Sequence, residues 1–276
     1  MTFKDITLED MPLISSILEC SGGICDFTAG TVYTWSGIYR YAYSYDGRDL
    51  VIRSTVDGED KYYVPVGDLD RVLGALPEDA TLAPVTEEQA RGRGVELTDY
   101  SDYVYLVEDL ATLKGKRYHS KRNHVNTFLR TYPGSGYVRI TEANAPRVRE
   151  FLEGFDVSEF SEAHRLEHRA TVEALGVLEL INCIGAYLEV NGRIVAMTVG
   201  EIVGDTLYVH AEKADTDYRG AYEAMAYEFV RREAIGLTYV NREEDMGNEG
   251  LRRAKQSYHP IKMIKKYQIV RNSVND

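Results

Sequence analysis

Hydrophobic and polar positions repeat along this chain with two periods, and the alternation between them marks out its elements. Met11, Ile14, Ile17 and Leu18 share one side of a helix predicted over residues 7–19. Residues 33–49 are aromatic and partly alternating, which predicts extended chain, and Asp46-Gly47 is a hairpin signal. Strands follow at 49–54 and 61–66, then a short helix at 68–76 stopped by Pro77, a helix at 86–94 and a strand at 102–107. Residues 110–132 read as one helix closed by Pro133-Gly134. A strand at 136–141 and helices at 144–155 and 161–175 come next. Residues 181–190, 193–202 and 206–214 alternate and are separated by Asn191-Gly192 and Gly204-Asp205, so they predict an antiparallel meander. Tyr222, Met225, Ala226, Phe229 and Val230 form the apolar stripe of a helix over 221–235. A strand at 237–240, a helix at 248–256 and a last strand or pair of strands at 261–270 complete the pattern. Helices and strands mixed in this order predict an α+β fold with mixed sheets. Both halves run from helices into strands and back, so a tandem duplication is expected, with 1–134 as one domain and 135–276 as the other.

Charge changes this picture more than composition does. The 276 residues carry 32 Lys and Arg against 44 Asp and Glu, a net charge of −12. A nucleic-acid contact must therefore be local. Residues 112–141 hold seven basic residues and no acid, and so do residues 251–275. Each is either a solvated helix face or part of a shared site for phosphates. The three cysteines (Cys20, Cys25 and Cys183) exclude a disulfide scaffold, and no CxxC or His–Cys spacing suggests zinc, so no metal is expected. The opening MTFKDITLED carries acids and no apolar run, and no stretch of about 18 apolar residues exists. The expected location is the cytoplasm.

Three segments carry candidate chemistry. The strand at 206–214 leads through Asp217, Tyr218, Arg219 and Gly220 into a helix start at Ala221 and Tyr222. Unpaired helix N–H groups beside an arginine can cradle an anion, although an ordinary strand–helix turn reads the same way. The strand at 237–240 leads into Asn241, Arg242, Glu243, Glu244 and Asp245. Such acids are a candidate base or amine site, or else a cap for the helix at 248–256. Tyr258 is a candidate acid or a core tyrosine. In the basic helix, Arg117, Lys121 and His124 share a face opposite Tyr118, Val125, Phe128, Leu129 and Tyr132. Crowded like charges call for an anionic partner, which could be acids elsewhere in the chain, a ligand phosphate or RNA backbone.

The order of meander, loop, helix, strand, helix and strand resembles an acetyltransferase-like (GNAT) domain. There the loop after the fourth strand holds the pyrophosphate of coenzyme A. Here Asp217 and Tyr222 replace the first and last residues of the usual loop. Segments 109–124 and 241–260, with Glu212-Lys213-Ala214 and Gly220-Ala221-Tyr222, resemble a bacterial family related to the C-terminal catalytic domain of phosphatidylglycerol lysyltransferases. The resemblance implies two GNAT-like domains in tandem, as in aminoacyl-tRNA-dependent transferases of the Fem type, and acyl or aminoacyl transfer. On that basis coenzyme A or acyl-CoA is the expected donor. Lys213, Ala214, Tyr218, Arg219, Gly220, Ala221, Tyr222 and Lys255 would lie around it. Glu212, Glu243, Glu244 or Asp245 would be the base and Tyr258 the acid. Lys116, Arg117, His119, Lys121, Arg122, Asn123, Asn241 and Arg242 would bind further anionic groups. The alternatives are an aminoacyl-tRNA donor and a binding module without turnover.

Overall fold

A computed structural model describes residues 1–19, 21, 23–56, 58–158 and 160–271. Cys20 and the end of the second basic stretch lie outside the described residues. The chain begins with β1 (Lys4–Asp5), α1 (Met11–Leu18), α2 (Ala29–Tyr39), β2 (Ala42–Tyr45), β3 (Leu50–Val56) and β4 (Glu59–Val66). It continues through α3 (Leu69–Ala75), β5 (Thr81–Thr86), α4 (Glu87–Ala90), β6 (Val95–Glu96), β7 (Asp102–Leu106), α5 (Val107–Thr112) and α6 (His119–Thr131). Next come β8 (Gly136–Arg139), α7 (Ala145–Glu153), α8 (Glu162–Ala174), β9 (Cys183–Val190), β10 (Arg193–Val203) and β11 (Thr206–Ala214). It ends with α9 (Ala221–Glu233), β12 (Tyr239–Asn241), α10 (Glu249–Gln256), β13 (Lys262–Ile264) and β14 (Lys266–Val270).

The strands form two sheets, ordered β1-β2-β3-β4-β5-β14-β6 and β13-β7-β12-β11-β10-β9-β8. The β4–β5 and β11–β12 pairs are parallel and the rest antiparallel. This is the expected α+β architecture of mixed, mostly antiparallel sheets flanked by helices. The sheets exchange strands across the residue 133–135 boundary. β7 of the first half lies between β12 and β13, while β14 lies between β5 and β6. One core cluster draws Met11, Leu50, Ile52 and Tyr63 from the first half and Tyr187, Met197 and Val199 from the second. A second packs Tyr118, Val125 and Phe128 with Met225 and Phe229 against the other face of the second sheet. Burial of this kind contributes about 25 cal/mol per Å² of apolar surface. Among the described residues no helix is long and apolar enough to cross a membrane.

Three local expectations need correction. Residues 33–39, predicted extended, belong to α2. Thr28 caps its start by accepting from the Thr31 N–H, and Val32 is fully buried, so tertiary burial overrides the strand preference of Tyr33, Trp35 and Tyr39. The single helix at 110–132 is two, α5 and α6, because Leu113 takes a left-handed conformation (φ 48°) and Gly115 follows at φ 90°. The expected helix at 86–94 shortens to α4, preceded by the strand β5. Of the stripe on α6, Tyr118, Val125 and Phe128 are buried, whereas Leu129 is exposed.

Candidate functional site

The turn after β12 brings its three acids to different partners, and the partners sort their chemistry. Asn241 is buried. Its amide donates to Asp102 at 2.8 Å, and its carbonyl oxygen accepts from the Glu243 N–H at 2.8 Å. Glu243 and Met246 both have positive φ, 56° and 48°, so the chain folds back on itself and points successive side chains apart. Asp245 accepts from Tyr103 at 2.6 Å and from Arg252 at 2.7 and 2.9 Å. Burial pushes its carboxyl up, but Arg252 and Tyr103 outweigh burial and hold it below the usual range. Asp245 is therefore a structural clamp on α10. Glu244 lies 3.1 Å from Lys266 Nζ and 3.2 Å from Cys25 Sγ. Burial raises its pKa, yet Lys266 draws it below the usual value. Glu212 is ion-paired with Arg242, whose guanidinium stands over the Tyr258 ring at 4.8 Å.

Glu243 differs from these three. Its carboxylate meets no lysine or arginine among the described residues, but lies 2.7 Å from His210 Nδ1. Burial, the largest influence, pushes it up to about 7 despite that hydrogen bond. His210 stands on β11 where the register with β10 slips. Val199 pairs with Ala211 and Gly200 with Val209, so His210 is the extra residue of a β-bulge. Bulges re-aim side chains in this way beside functional sites. His210 and Glu243 line a narrow pocket with Thr31, Thr34 and Trp35 of α2 and Glu167 of α8.

Next to this pocket is a lysine that in the sequence belongs to a basic run. Lys266 is the first residue of β14 and is 1% exposed. Its ammonium lies 2.6 Å from Asp26, 2.7 Å from Asp102 and 3.1 Å from Glu244, with Cys25 Sγ at 3.2 Å. Burial disfavours its charge, but Asp102 and Asp26 overcome burial and hold its pKa well above the ordinary value. Burial, with Asp102 and Glu244, pushes the Cys25 thiol up, so it stays protonated. Together the junction of the two sheets holds Asp26, Asp102, Glu201, Glu243 and Glu244 around Lys266 and His210. Carboxylates outnumber cations there.

Besides Glu243 and Glu244, Asn241 reaches the junction through Asp102 and Lys213 through Glu167, whereas Glu212, Tyr258 and the loop before α9 lie towards α6. Lys213 is tied to Glu167 at 3.0 Å, and Lys255 is buried against the carbonyls of Arg242 and Glu244. Ala214 and Ala221 are buried, Tyr218 packs on Tyr132, and Arg219 and Tyr222 are exposed. Gly220 has φ 87°, and a Cβ there would stand 2.5 Å from the His124 carbonyl oxygen. Its missing side chain makes room for α6 at the position where the sequence predicts a phosphate. These residues are not gathered into one cradle. Tyr258 is buried, burial pushes its phenol up, and Lys121 lies over its ring at 4.2 Å.

The basic helix finds acids within the chain for part of its charge. Arg117 pairs with Asp109 at 2.8 Å, while Lys121 and His124 share Glu223. Arg122 donates to the carbonyls of Leu113 and Gly115. Exposed His119 and Asn123 bond to one another at 3.0 Å. The Tyr118 hydroxyl donates to the Tyr258 carbonyl, and the His259 ring meets Tyr118 edge-on. The two acid-free stretches therefore meet at Tyr118, Tyr258 and His259, and Lys114, Lys116, His119 and Arg253 are exposed.

Sequence reasoning missed Cys25, Asp26, Asp102, Cys183, Glu201, His210 and Lys266. A carboxylate and an imidazole inside the apolar strands β10 and β11 were the available signal.

Comparison with known proteins bears on the whole arrangement. A structure from Bacteroides thetaiotaomicron, a conserved protein of unknown function, is 34% identical, covers 98% of this chain and 99% of its own, and superposes with a TM-score of 0.90. L-PGS from Bacillus licheniformis is 18% identical over 95% of this chain and 91% of its own, with a TM-score of 0.64, and shares the fold. An uncharacterised protein of Mycoplasmoides gallisepticum is 26% identical over 61% of this chain, a match that spans only 56% of that protein's length. The two structures share this chain's fold of two mixed sheets flanked by helices. The family model for the C-terminal part of phosphatidylglycerol lysyltransferase matches residues 22–270, and on that match the chain belongs to this family.

Proposed function

We propose that this chain is an aminoacyltransferase, moving an aminoacyl group from the ester of an aminoacyl-tRNA to a hydroxyl or amine acceptor. The observation that carries the reading is the pocket at the sheet junction, where Glu243, paired with no lysine or arginine among the described residues, faces Thr31, Trp35 and His210. An aminoacyl group differs from a simple acyl group by its ammonium, and carboxylates are what hold an ammonium. Among the acids past β12, Glu243 alone lines the pocket without being committed to a lysine or arginine. It is placed to take the acceptor's proton as the acceptor oxygen or nitrogen attacks the ester carbonyl, and the ribose oxygen leaves. Lys114, Lys116, His119 and Arg253 supply an exposed basic rim for RNA phosphates.

One feature favours an acyl-coenzyme A donor instead. The start of α9 has no side-chain cap, and Arg219 is exposed beside it. A donor screen separates the two. Purified protein is mixed with aminoacyl-tRNAs or acyl-CoA thioesters and a panel of hydroxyl and amine acceptors, and transfer is read by mass spectrometry. Transfer from aminoacyl-tRNA, with tRNA affinity falling steeply as salt rises, is expected. Transfer from acyl-CoA alone overturns the tRNA donor, and binding without turnover across the panel overturns the transferase reading.

A further inference from the structure

Three neighbouring strands of the second sheet place a thiol, a carboxylate and an imidazole around one point. Cys183 on β9 is directly opposite Glu201 on β10, and His210 is the bulge residue of β11. One ligand atom from each lies within 4.8 Å of the other two. Cys183 and Glu201 are 4% and 2% exposed. The backbone of α2 closes the group. A Cβ on Gly30 would stand 2.4 Å from Cys183 Sγ, 2.7 Å from Glu201 Oε2 and 3.0 Å from His210 Nε2. Glycine at position 30 is what keeps protein atoms out of the space between the three donors.

The surrounding hydrogen bonds are those that orient metal ligands. His210 Nδ1 is held by Glu243 Oε1 at 2.7 Å, which turns Nε2 towards Cys183 and Glu201. Nε2 is buried and makes no hydrogen bond, standing 3.4 Å from Glu201 Oε2. Glu201 Oε2 accepts the Gly30 N–H at 2.7 Å. A ligating imidazole typically has a carboxylate behind its other nitrogen, and a ligating carboxylate is itself hydrogen-bonded. A second Cys–acid group among the described residues shows the contrast. Cys25, Asp102 and Glu244 are equally close together, but the Lys266 ammonium stands among them and supplies the cation.

We propose that Cys183, Glu201 and His210 bind a divalent metal ion of the zinc type. A thiolate with an imidazole and a carboxylate selects zinc over magnesium or calcium, and three protein ligands leave a fourth position for water or substrate. On binding, the Cys183 thiol and His210 Nε2 each lose a proton to solvent, so that His210 donates through Nε2 while Nδ1–H stays on Glu243. The inference stands whichever group the enzyme transfers.

The test uses the full chain, stripped with a chelator and titrated with Zn²⁺ and with Co²⁺. We expect one ion per chain, no competition from Mg²⁺, and a thiolate-to-cobalt charge-transfer band. Cys183→Ser removes the band, Glu243→Gln weakens zinc binding about 10–100-fold as outer-partner changes do, and Cys25→Ser leaves both unchanged. If Cys183→Ser does not fold, Glu201→Gln carries the same expected loss of affinity, and the wild-type band with its persistence in Cys25→Ser carries the thiolate assignment. A folded wild-type chain that binds no ion, a cobalt complex without the band, or a band lost in Cys25→Ser overturns the proposal.

Discussion

Removing the Lys266 ammonium would leave Asp26, Asp102 and Glu244 facing one another out of water, with Asp102 fully buried. Breaking one side of a buried ion network costs about 3–5 kcal/mol, since the remaining charges keep their desolvation penalty. Lys266→Met is therefore expected to lower the unfolding free energy by about that much, read from the denaturant midpoint. Adding Asp102→Asn should restore part of the loss, because these two residues are coupled. This hub was hidden in the sequence because a lysine in a basic run reads as surface. Its partners lie far away in the chain, and only the insertion of β14 into the first sheet brings them together. Glu243, by contrast, was legible as one of a few candidate bases, since three consecutive acids after a strand end are conspicuous. What the sequence left open was which of them had no cationic partner, and that depends on the positive φ of the turn.

Between elements, α6 and α9 meet where Gly220 allows it. The glycine combines φ 87° with a Cβ position 2.5 Å from a backbone carbonyl, so a side chain there must both strain the backbone and push α6 away. Gly220→Ala is expected to cost about 1–3 kcal/mol. Gly204→Ala is the control, because Gly204 has φ 59° but nothing within 4 Å of its Cβ position. A thermal unfolding scan should show the larger drop for Gly220→Ala, and equal drops would show that the close approach to α6 does not matter. The regular elements of the second half were readable because Asn-Gly and Gly-Asp turns separate clean alternating strands. The break between α5 and α6 was not, because a leucine in the left-handed region leaves no pattern. Nor was α2, whose aromatic residues favour strands until burial decides otherwise. The triad of Cys183, Glu201 and His210 escaped for a related reason. Its members come from three strands, so no short spacing announces them.

Across the whole molecule the exchange of β7 and β14 ties the two halves into one folding unit. A fragment of residues 1–134 would lack β14 between β5 and β6 and would carry β7, α5 and α6 without the sheet they pack on. It is expected to show no cooperative unfolding transition by circular dichroism, whereas the full chain shows one. The same exchange builds the site, since α2 and Asp26 come from the first half, and His210, Glu243 and Glu244 from the second. We propose that this junction holds an amine-bearing acyl group with Glu243 as the base. Single-turnover transfer from aminoacyl-tRNA, compared between the wild type and Glu243→Gln at saturating donor, tests it most directly. A fall in rate of about 10²–10⁴-fold is predicted, and a Glu243→Gln variant that transfers at the wild-type rate would contradict it.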